Sequence, residues 1–372
     1  MKTLVSPTLM KKSFLSKIVI AIVLLCASHS ATAQVARVYV NEFLQIGVGA
    51  RAMGMSQSQV GSVNDVTSGY WNPAGLLGLG NKLDAAVMHS ESFAGIAKYD
   101  YAAVGKRLDS TSAASFSLIR FGIDDIPNTL DLYDPNGNID YSRVTTFNAA
   151  DYAFLFSYAK KGVPFIHKPW ASRVNIGGTA KIIYRQIGDF ARSFGFGFDI
   201  GAQYQGKHVC LGAVVRDATS TFNAWSFSLG STATSVFEQT GNTLPQNGLE
   251  IALPRAILGA GYKFNKEKIS FLVEGNATFT TDGQRNALVS GNVFSIDPNV
   301  GLEVGYSNTI FFRAGVGNAQ RVKDFEEEYI TYQPNIGIGI RLRKMFIDYA
   351  LSDVGNSSDV LYSNVFSLKF SL

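Results

Sequence analysis

The chain has little cysteine and little histidine, with 2 Cys and 4 His among 372 residues. Cys26 lies in an amino-terminal leader described below, and Cys210 is the other cysteine. No disulfide can therefore form within the exported chain, which excludes a disulfide-built fold. The histidines are far apart in the sequence, and we expect no metal site, no cofactor and no catalytic cluster.

Long apolar runs and basic runs are also missing. Outside the leader, no stretch approaches the roughly 18 consecutive apolar residues that a membrane-spanning helix needs, although 46% of the residues are hydrophobic. No Lys/Arg-rich run is interleaved with aromatic residues, so we expect no nucleic-acid partner. Aromatic residues nevertheless reach 12% and glycine reaches 36 residues. This composition is typical of proteins that cross a membrane with strands.

Residues 1–33 have the pattern of an export signal. An apolar run over residues 18–27 precedes Ala-Thr-Ala at residues 31–33, a small-residue cleavage site. Leu25 is the wrong size for the position before a lipidated cysteine, so we favour simple cleavage over lipidation at Cys26. The charged residues of the leader are Lys2, Lys11, Lys12 and Lys17. Because all four are basic, their removal cancels the formal net charge of +4.

Residues 83–372 alternate between apolar and small or polar residues with a period of two. We divide them into fourteen strand-like runs separated by turn signals. In residues 194–201, FGFGFDIG, one face is apolar and the other is nearly all glycine. A soluble barrel would place apolar bulk inside, whereas a membrane barrel places it outside. We therefore predict an all-β fold: a transmembrane antiparallel β-barrel of about 14 strands over residues 83–372.

The connections between these runs alternate in length. Tight turns, such as residues 109–111 and 343–344, alternate with long connections such as residues 122–148, 218–252 and 317–334. In bacterial barrels the short turns are periplasmic and the long loops extracellular. We therefore predict a protein of the bacterial outer membrane with both termini in the periplasm.

Residues 34–82 are too rich in glycine for a helix and too irregular for a strand, and we predict a hatch inside the barrel lumen. The segment buries too little apolar surface to fold alone, and the glycine face of the strands leaves room for it. Glycine permits positive φ, and Pro73 keeps Asn72 out of the helical region. The residues that we assign to the hatch are Gly47, Gly49, Arg51, Gly54, Asp65, Trp71, Asn72 and Pro73. A dinucleotide-binding reading of Gly47–Ala52 fails because no βαβ unit surrounds it.

Three stretches resemble a known family. GARAMGM (residues 49–55), YWNPAGL (70–76) and IGIGIRLRKMFIDYAL (336–351) are similar to the hatch and late strands of the PorV/PorQ outer-membrane proteins, which are themselves similar to the fatty-acid transporter FadL. Residues 56–59, SQSQ, depart from the small residues usual there. The resemblance implies a fourteen-stranded FadL-like barrel from the Bacteroidetes that belongs to the type IX secretion system.

Two functions are open at this point, and neither is enzymatic. The first, which the resemblance implies, is a PorV-like shuttle or adaptor whose outer loops bind the carboxy-terminal signal domains of secreted cargo proteins or a secretion-system subunit. Aromatic residues dominate protein interfaces, and residues 218–252 supply them as Phe222, Trp225, Phe227 and Phe237. The alternative is a FadL-like transporter that moves hydrophobic small molecules across the outer membrane. In both cases the outer surface of the barrel contacts lipid.

We predict that export removes residues 1–33 and leaves Gln34 as the first residue. The intact mass of protein purified from the membrane fraction measures this directly, because each alternative cleavage site changes the mass by at least one residue. A mass that retains the leader, or that includes an acyl chain on Cys26, would contradict the prediction.

Overall fold

The computed structural model describes residues 40–80, 82–92, 95–134, 136–163, 171–283, 285–291, 293–323, 328–354 and 363–372. The predicted leader and its cleavage site lie outside these residues. Within the described ranges, no helix is both long enough and apolar enough to cross a membrane.

The strands form one closed antiparallel barrel, as the period-two pattern predicts. In chain order they are β1 (Asp84–Ser92), β2 (Ala97–Arg107), β3 (Ser112–Asn128), β4 (Thr145–Lys161), β5 (Val174–Ile187), β6 (Ala191–Gln205), β7 (Val209–Arg216), β8 (Thr221–Phe227), β9 (Gly248–Ala252), β10 (Arg255–Lys266), β11 (Ile269–Thr280), β12 (Val289–Ser290), β13 (Ser295–Tyr306), β14 (Ile310–Lys323), β15 (Glu328–Leu342), β16 (Met345–Ser352) and β17 (Ser363–Ser371). β1 pairs with both β2 and β17, which closes the ring. Every backbone donor and acceptor of such a ring can pair with a neighbouring strand, as a membrane interior requires.

Strands β1 to β17 occupy fourteen positions around the barrel wall, which we call staves. Two staves are each interrupted and so contain two strands, and β12 adds no stave of its own. β7 and β8 both pair with β6, one after the other, and the break between them falls at residues 217–220. β9 pairs with β8 and β10 with β7, with a break at Leu253 and Pro254. Proline cannot donate to the ladder, which explains the second break. β12 is a two-residue addition beside β13.

The prediction that residues 218–252 form one external loop is wrong. Thr221–Phe227 and Gly248–Ala252 are strands, and α3 (Ser231–Gln239) lies in the connection between them. The expected loops at residues 122–148 and 317–334 are also shortened by longer strands on either side. Beyond the apolar band both faces of a strand meet water, so the alternation that marks a strand disappears while the backbone pairing continues.

The two faces of the wall differ as predicted. On β6, Phe194 is 65% exposed on the outside of the wall, whereas Ser193 on the inside is fully buried. Gly195 and Gly197 make room for a neighbouring stave, because a Cβ at either position would collide with the side chains of Asn223 or Thr221. Some glycines on the face that we predicted to accommodate the hatch therefore make room for side chains of the barrel wall instead.

Residues 40–80, which we call the luminal segment, lie inside the barrel. Of these residues, all described, three are exposed: Glu42, Asn64 and Gly78. The segment contains α1 (Ala50–Gly54), α2 (Ser68–Trp71) and 3-10 turns at Glu42–Gln45 and Pro73–Gly78. Further 3-10 turns lie at Tyr141–Arg143 and Ala171–Arg173.

Wall glycines allow the segment to approach the strands closely. A Cβ at Gly301 would lie 2.5 Å from the Met55 carbonyl oxygen, and one at Gly177 would lie 2.6 Å from the Pro73 carbonyl carbon. Real Cβ atoms do not approach backbone this closely, so a larger residue at either position must displace the segment.

We predict that Gly301→Leu lowers the yield of folded barrel, because the added side chain overlaps the backbone of Met55. The control is Val300→Leu at the preceding position of β13, where the Val300 side chain is 50% exposed on the outer face. Overpacking costs about 1–3 kcal/mol, whereas an exposed apolar exchange costs little. The fraction of protein that migrates as folded barrel in electrophoresis without boiling measures the effect. Equal yields for the two variants would contradict the observed close approach.

Candidate functional site: the barrel lumen

The first turn of the luminal segment depends on two glycines. Gly47 and Gly49 have φ values of +99° and +86°, in the region that favours glycine. A Cβ at Gly47 would also lie 3.2 Å from the Trp71 ring. Trp71 itself donates from Nε1 to the Val48 carbonyl oxygen at 2.9 Å, so its ring fixes this turn. These four residues form one local unit.

Asn72 joins three parts of the molecule. Its Nδ2 donates to the carbonyl oxygens of Val60 and Ala202, each at 3.0 Å, and its Oδ1 accepts from the Ala74 N–H at 3.2 Å. Ala202 belongs to β6, so this side chain connects the segment to the wall. Pro73 follows at the first position of a 3-10 turn, where its missing N–H costs nothing.

Gly54 marks the closest approach to the late strands. A Cβ on Gly54 would lie 3.0 Å from the Gly337 Cα atom of β15. The resemblance noted above includes both residues, and the structure brings them together. Two facing glycines permit this contact because neither carries a side chain.

Six charged residues form a continuous chain of ion pairs between the segment and the wall, which we call the charge chain. In order they are Asp65, Lys369, Asp348, Arg313, Glu303 and Arg51, with successive N–O distances of 2.9, 3.5, 2.8, 2.6 and 2.9 Å. Both ends, Asp65 and Arg51, belong to the luminal segment. Arg51 binds Glu303 through two nitrogens, since its Nη2 lies 3.1 Å from Oε1.

The two ends of the charge chain, Asp65 and Arg51, keep their charges at physiological pH. Burial alone would raise the pKa of the Asp65 carboxyl, but Lys369 and the Thr67 hydroxyl outweigh it and lower the pKa to about 2. Burial also opposes the charge on Arg51, but Glu303 outweighs it and raises the pKa of the guanidinium above its usual value. Three cations alternate with three carboxylates, so the chain is electrically neutral. Loss of one member would leave a buried charge without its partner.

Further hydrogen bonds add to this attachment. The Gly61 N–H donates to Glu274 Oε1 at 2.6 Å. Asn335 Nδ2 donates to the Ser56 hydroxyl at 2.6 Å, and the Ser58 hydroxyl donates to Asn299 Oδ1 at 3.0 Å. Ser56 and Ser58 belong to the SQSQ stretch that departs from the family pattern, and both bind the wall.

Two cavities flank the luminal segment. A cavity of about 400 Å³ lies toward the long connections, and its lining includes Ile46, Met53, Trp71, Phe121 and Ile257. A second cavity, of about 480 Å³, lies toward the short turns, and its lining includes Arg51, Asp65, Lys263, Arg341 and Phe346. Both volumes suit a small organic ligand. The luminal segment separates them.

The aromatic residues proposed as a partner-binding loop do not form one surface. Phe222 faces outward on β8 and is 43% exposed, beside Phe196. Trp225 and Phe227 are partly buried on the opposite face of the same strand, and Arg185 lies 5.0 Å from the Trp225 ring centre. Phe237 lies in α3. Because β8 continues the wall, alternation places its aromatic residues on opposite sides.

Sequence reasoning missed Lys369, Arg216 and Arg255 as luminal residues. Lys369 alternates with outward residues on β17, and the same period of two places Arg216 inward with Cys210 and Val214. This signal was present in the sequence. It identifies the face of a residue but not its partner across the barrel.

Comparison with known proteins identifies the fold. No family model and no curated protein matches the chain. Among solved structures, the Pseudomonas putida toluene transporter TodX is 13% identical and superposes with a TM-score of 0.55, covering 88% of this chain and 98% of its own. The CymD monoaromatic hydrocarbon channel is 12% identical with a TM-score of 0.55, and the match covers 88% of this chain and 98% of CymD. A Pseudomonas aeruginosa FadL homologue is 12% identical with a TM-score of 0.50, and the match covers 87% of this chain and 98% of the homologue. The chain therefore shares the FadL-type barrel fold, while the PorV/PorQ assignment stays a prediction.

We predict that the charge chain stabilises the barrel through its members jointly. Arg51→Met leaves Glu303 with Arg313 as its remaining partner, and Glu303→Gln deprives Arg51 and Arg313 of a shared carboxylate. Each variant should therefore lower the free energy of unfolding by about 1–3 kcal/mol. The double variant should cost less than the sum of the single ones. Urea unfolding of refolded barrel in lipid vesicles measures all three.

The exposed pair Arg321 and Glu328, 3.6 Å apart, supplies the control for this cycle. Arg321→Gln and Glu328→Gln should change stability by at most about 1 kcal/mol. Strict additivity of the Arg51 and Glu303 effects would show that the observed contact contributes no coupling.

Proposed function

We propose that this chain is an outer-membrane channel that passes hydrophobic small molecules, and that the luminal segment is its hatch. The outer face supports a membrane location, because exposed large apolar side chains such as Phe194, Leu258 and Phe312 cover the staves. In this proposal the short turns and both termini face the periplasm. The hatch comprises residues 34–82, and within the described residues 40–80 all but Glu42, Asn64 and Gly78 are at least partly buried.

One observation carries the proposal: two ligand-sized cavities lie on opposite sides of a segment that polar contacts join to the late strands. A ligand that enters from the long connections reaches the cavity beside Met53 and Trp71. Displacement of the segment would open a path to the cavity beside Phe346. Polar attachments can break and re-form without exposing a hydrophobic core, which suits a movable part.

The comparisons favour transport over the adaptor reading. The matching structures bear the titles of a toluene transporter and a monoaromatic hydrocarbon channel. The type IX secretion role and its cargo or subunit partners remain predictions from the sequence. That role would require an outer surface for protein, whereas three of the four aromatic residues assigned to it are divided between the two faces of β8 and the fourth lies in α3.

We predict that fixing the hatch to the wall stops passage. In a Cys210→Ser background, Ser56→Cys with Asn335→Cys replaces two side chains whose polar atoms lie 2.6 Å apart, so that oxidation or dibromobimane can bridge them. Cells with the unmodified chain in the outer membrane should take up the apolar fluorophore N-phenyl-1-naphthylamine several times faster than cells without it. The bridge should return the rate to background, and reduction of a disulfide bridge should restore it.

The matched control bridges two wall strands. Ser92 and Ser363 have hydroxyl oxygens 3.0 Å apart, and Ser92→Cys with Ser363→Cys should leave uptake unchanged. Unchanged uptake with the Ser56–Asn335 bridge would show that the path does not require movement of the hatch. No uptake above background for the unmodified chain would refute the channel, and loss of surface-displayed proteins on deletion of the chain would then favour the adaptor.

A further inference from the structure

Two arginines face each other in the wall beside the upper cavity, the 400 Å³ cavity on the side of the long connections. Arg216 ends β7, Arg255 begins β10, and the two residues are direct cross-strand partners. Both line the upper cavity. Like charges directly opposite each other on a sheet destabilise it unless a counter-charge is present.

Neither arginine has a carboxylate partner within the described part of the chain. No carboxylate oxygen lies within the 4.0 Å of an ion pair from either guanidinium. The nearby Asp217 is bound to Lys181 at 2.5 Å, and Glu42 lies 3.7 Å from Arg285. The Nε atoms of Arg216 and Arg255 are buried without a hydrogen-bond partner.

The surroundings hold Arg216 in place. Arg216 is 5% exposed, and its guanidinium lies 4.4 Å from the Tyr70 ring centre. Its Nη atoms donate to the carbonyl oxygens of Leu44 and Tyr70, both at 3.3 Å. These aromatic and carbonyl contacts hold the Arg216 guanidinium in position before a ligand binds. Together with Arg255, it can then bind an anion that interacts with two guanidinium groups.

A second unpaired polar group lines the same cavity. Asp297 on β13 has a buried Oδ1 without a hydrogen-bond partner. It pairs across strands with Thr278 of β11, which is the strand next to Arg255. Two strand spacings, about 10 Å, therefore separate the two backbones laterally. The lining of the same cavity also includes the apolar side chains of Ile257, Met53 and Trp71.

We propose that the upper cavity binds a compact organic anion with an apolar body and a hydrogen-bond donor at its far end. The anionic group would bind Arg216 and Arg255, the donor would bind Asp297, and the apolar body would contact Trp71 and Met53. This inference rests on the proposed channel function and makes its substrate class more specific. It predicts selection of hydroxylated aromatic acids over plain hydrocarbons.

Four probes of equal ring size test each part of the inference. They are 6-hydroxy-2-naphthoate, 2-naphthoate, 2-naphthol and naphthalene, titrated against the purified full-length mature barrel and followed by their own fluorescence. We expect 6-hydroxy-2-naphthoate to bind most tightly. Arg255→Gln should weaken both carboxylates about tenfold or more, since hydrogen bonds to charged groups are the stronger class, and should leave 2-naphthol unchanged.

Three further variants separate charge, position and fold. Arg255→Lys keeps the charge and should retain most of the carboxylate affinity. Asp297→Ala should remove the advantage of 6-hydroxy-2-naphthoate over 2-naphthoate without weakening the latter. Arg321→Gln removes an exposed arginine from outside the cavity lining and should change no affinity. Electrophoretic mobility without boiling confirms that each variant is folded.

The outcomes separate this inference from the proposed function. Carboxylate affinity that is lost with Arg255→Gln and kept with Arg321→Gln supports the anion site. Equal carboxylate affinity in folded Arg255→Gln, or a preference for naphthalene over both acids, overturns the anion site and leaves the channel intact. Failure of all four probes to bind, together with no uptake of the apolar fluorophore, overturns both.

Discussion

The ion pair between Arg51 of the luminal segment and Glu303 of the wall is the contact on which the interior depends. It begins a chain of alternating charges that passes through β13, β14, β16 and β17 and returns to the segment at Asp65. The wall supplies Glu303, Arg313, Asp348 and Lys369, two carboxylates and two cations that pair with one another. The segment extends this series at both ends, because Arg51 binds Glu303 and Asp65 binds Lys369. Without the wall, Arg51 and Asp65 would both lose these ion-pair partners. The barrel and its contents are therefore stabilised together.

The attachment of the luminal segment through the charge chain is compatible with movement of the segment, because the contacts that form it are polar. Opening a partly buried ion pair costs less free energy than deleting one of its partners, because both charges can be rehydrated when the pair opens. The apolar contacts of the segment, around Trp71 and Leu76, lie mainly against β1 to β5. The charge chain instead joins the segment to the late strands. The two sides of the segment are thus held by different forces, and the polar side is the one that water or a ligand can replace.

The barrel and its faces could be predicted from the sequence, because a period of two is a local property of each strand. The position of residues 40–80 in the lumen agrees with the expectation from the glycine face, although Gly195 and Gly197 accommodate Asn223 and Thr221, respectively, of a neighbouring stave. Partners across the lumen could not be predicted, because the pairing of Arg51 with Glu303 depends on the three-dimensional closure of the ring. The assignment of Phe222 and Trp225 to an external loop failed because β8 continues β7 only after a break, and positive φ at Asp217 and Ser220 leaves no periodic signal.

The same break accounts for the charges beside the upper cavity. A membrane barrel must place every polar side chain inward, where opposite charges can pair. Asp217, next to Arg216, turns at the break and binds Lys181 instead of a guanidinium. Pro254 interrupts the facing stave at the same level, so Arg255 begins a new strand directly opposite Arg216. Two interruptions in neighbouring staves thus bring two cations together and divert the nearest carboxylate away from them. Every member of the charge chain has an ion-pair partner, whereas Arg216 and Arg255 have no carboxylate partner among the described residues and line the upper cavity.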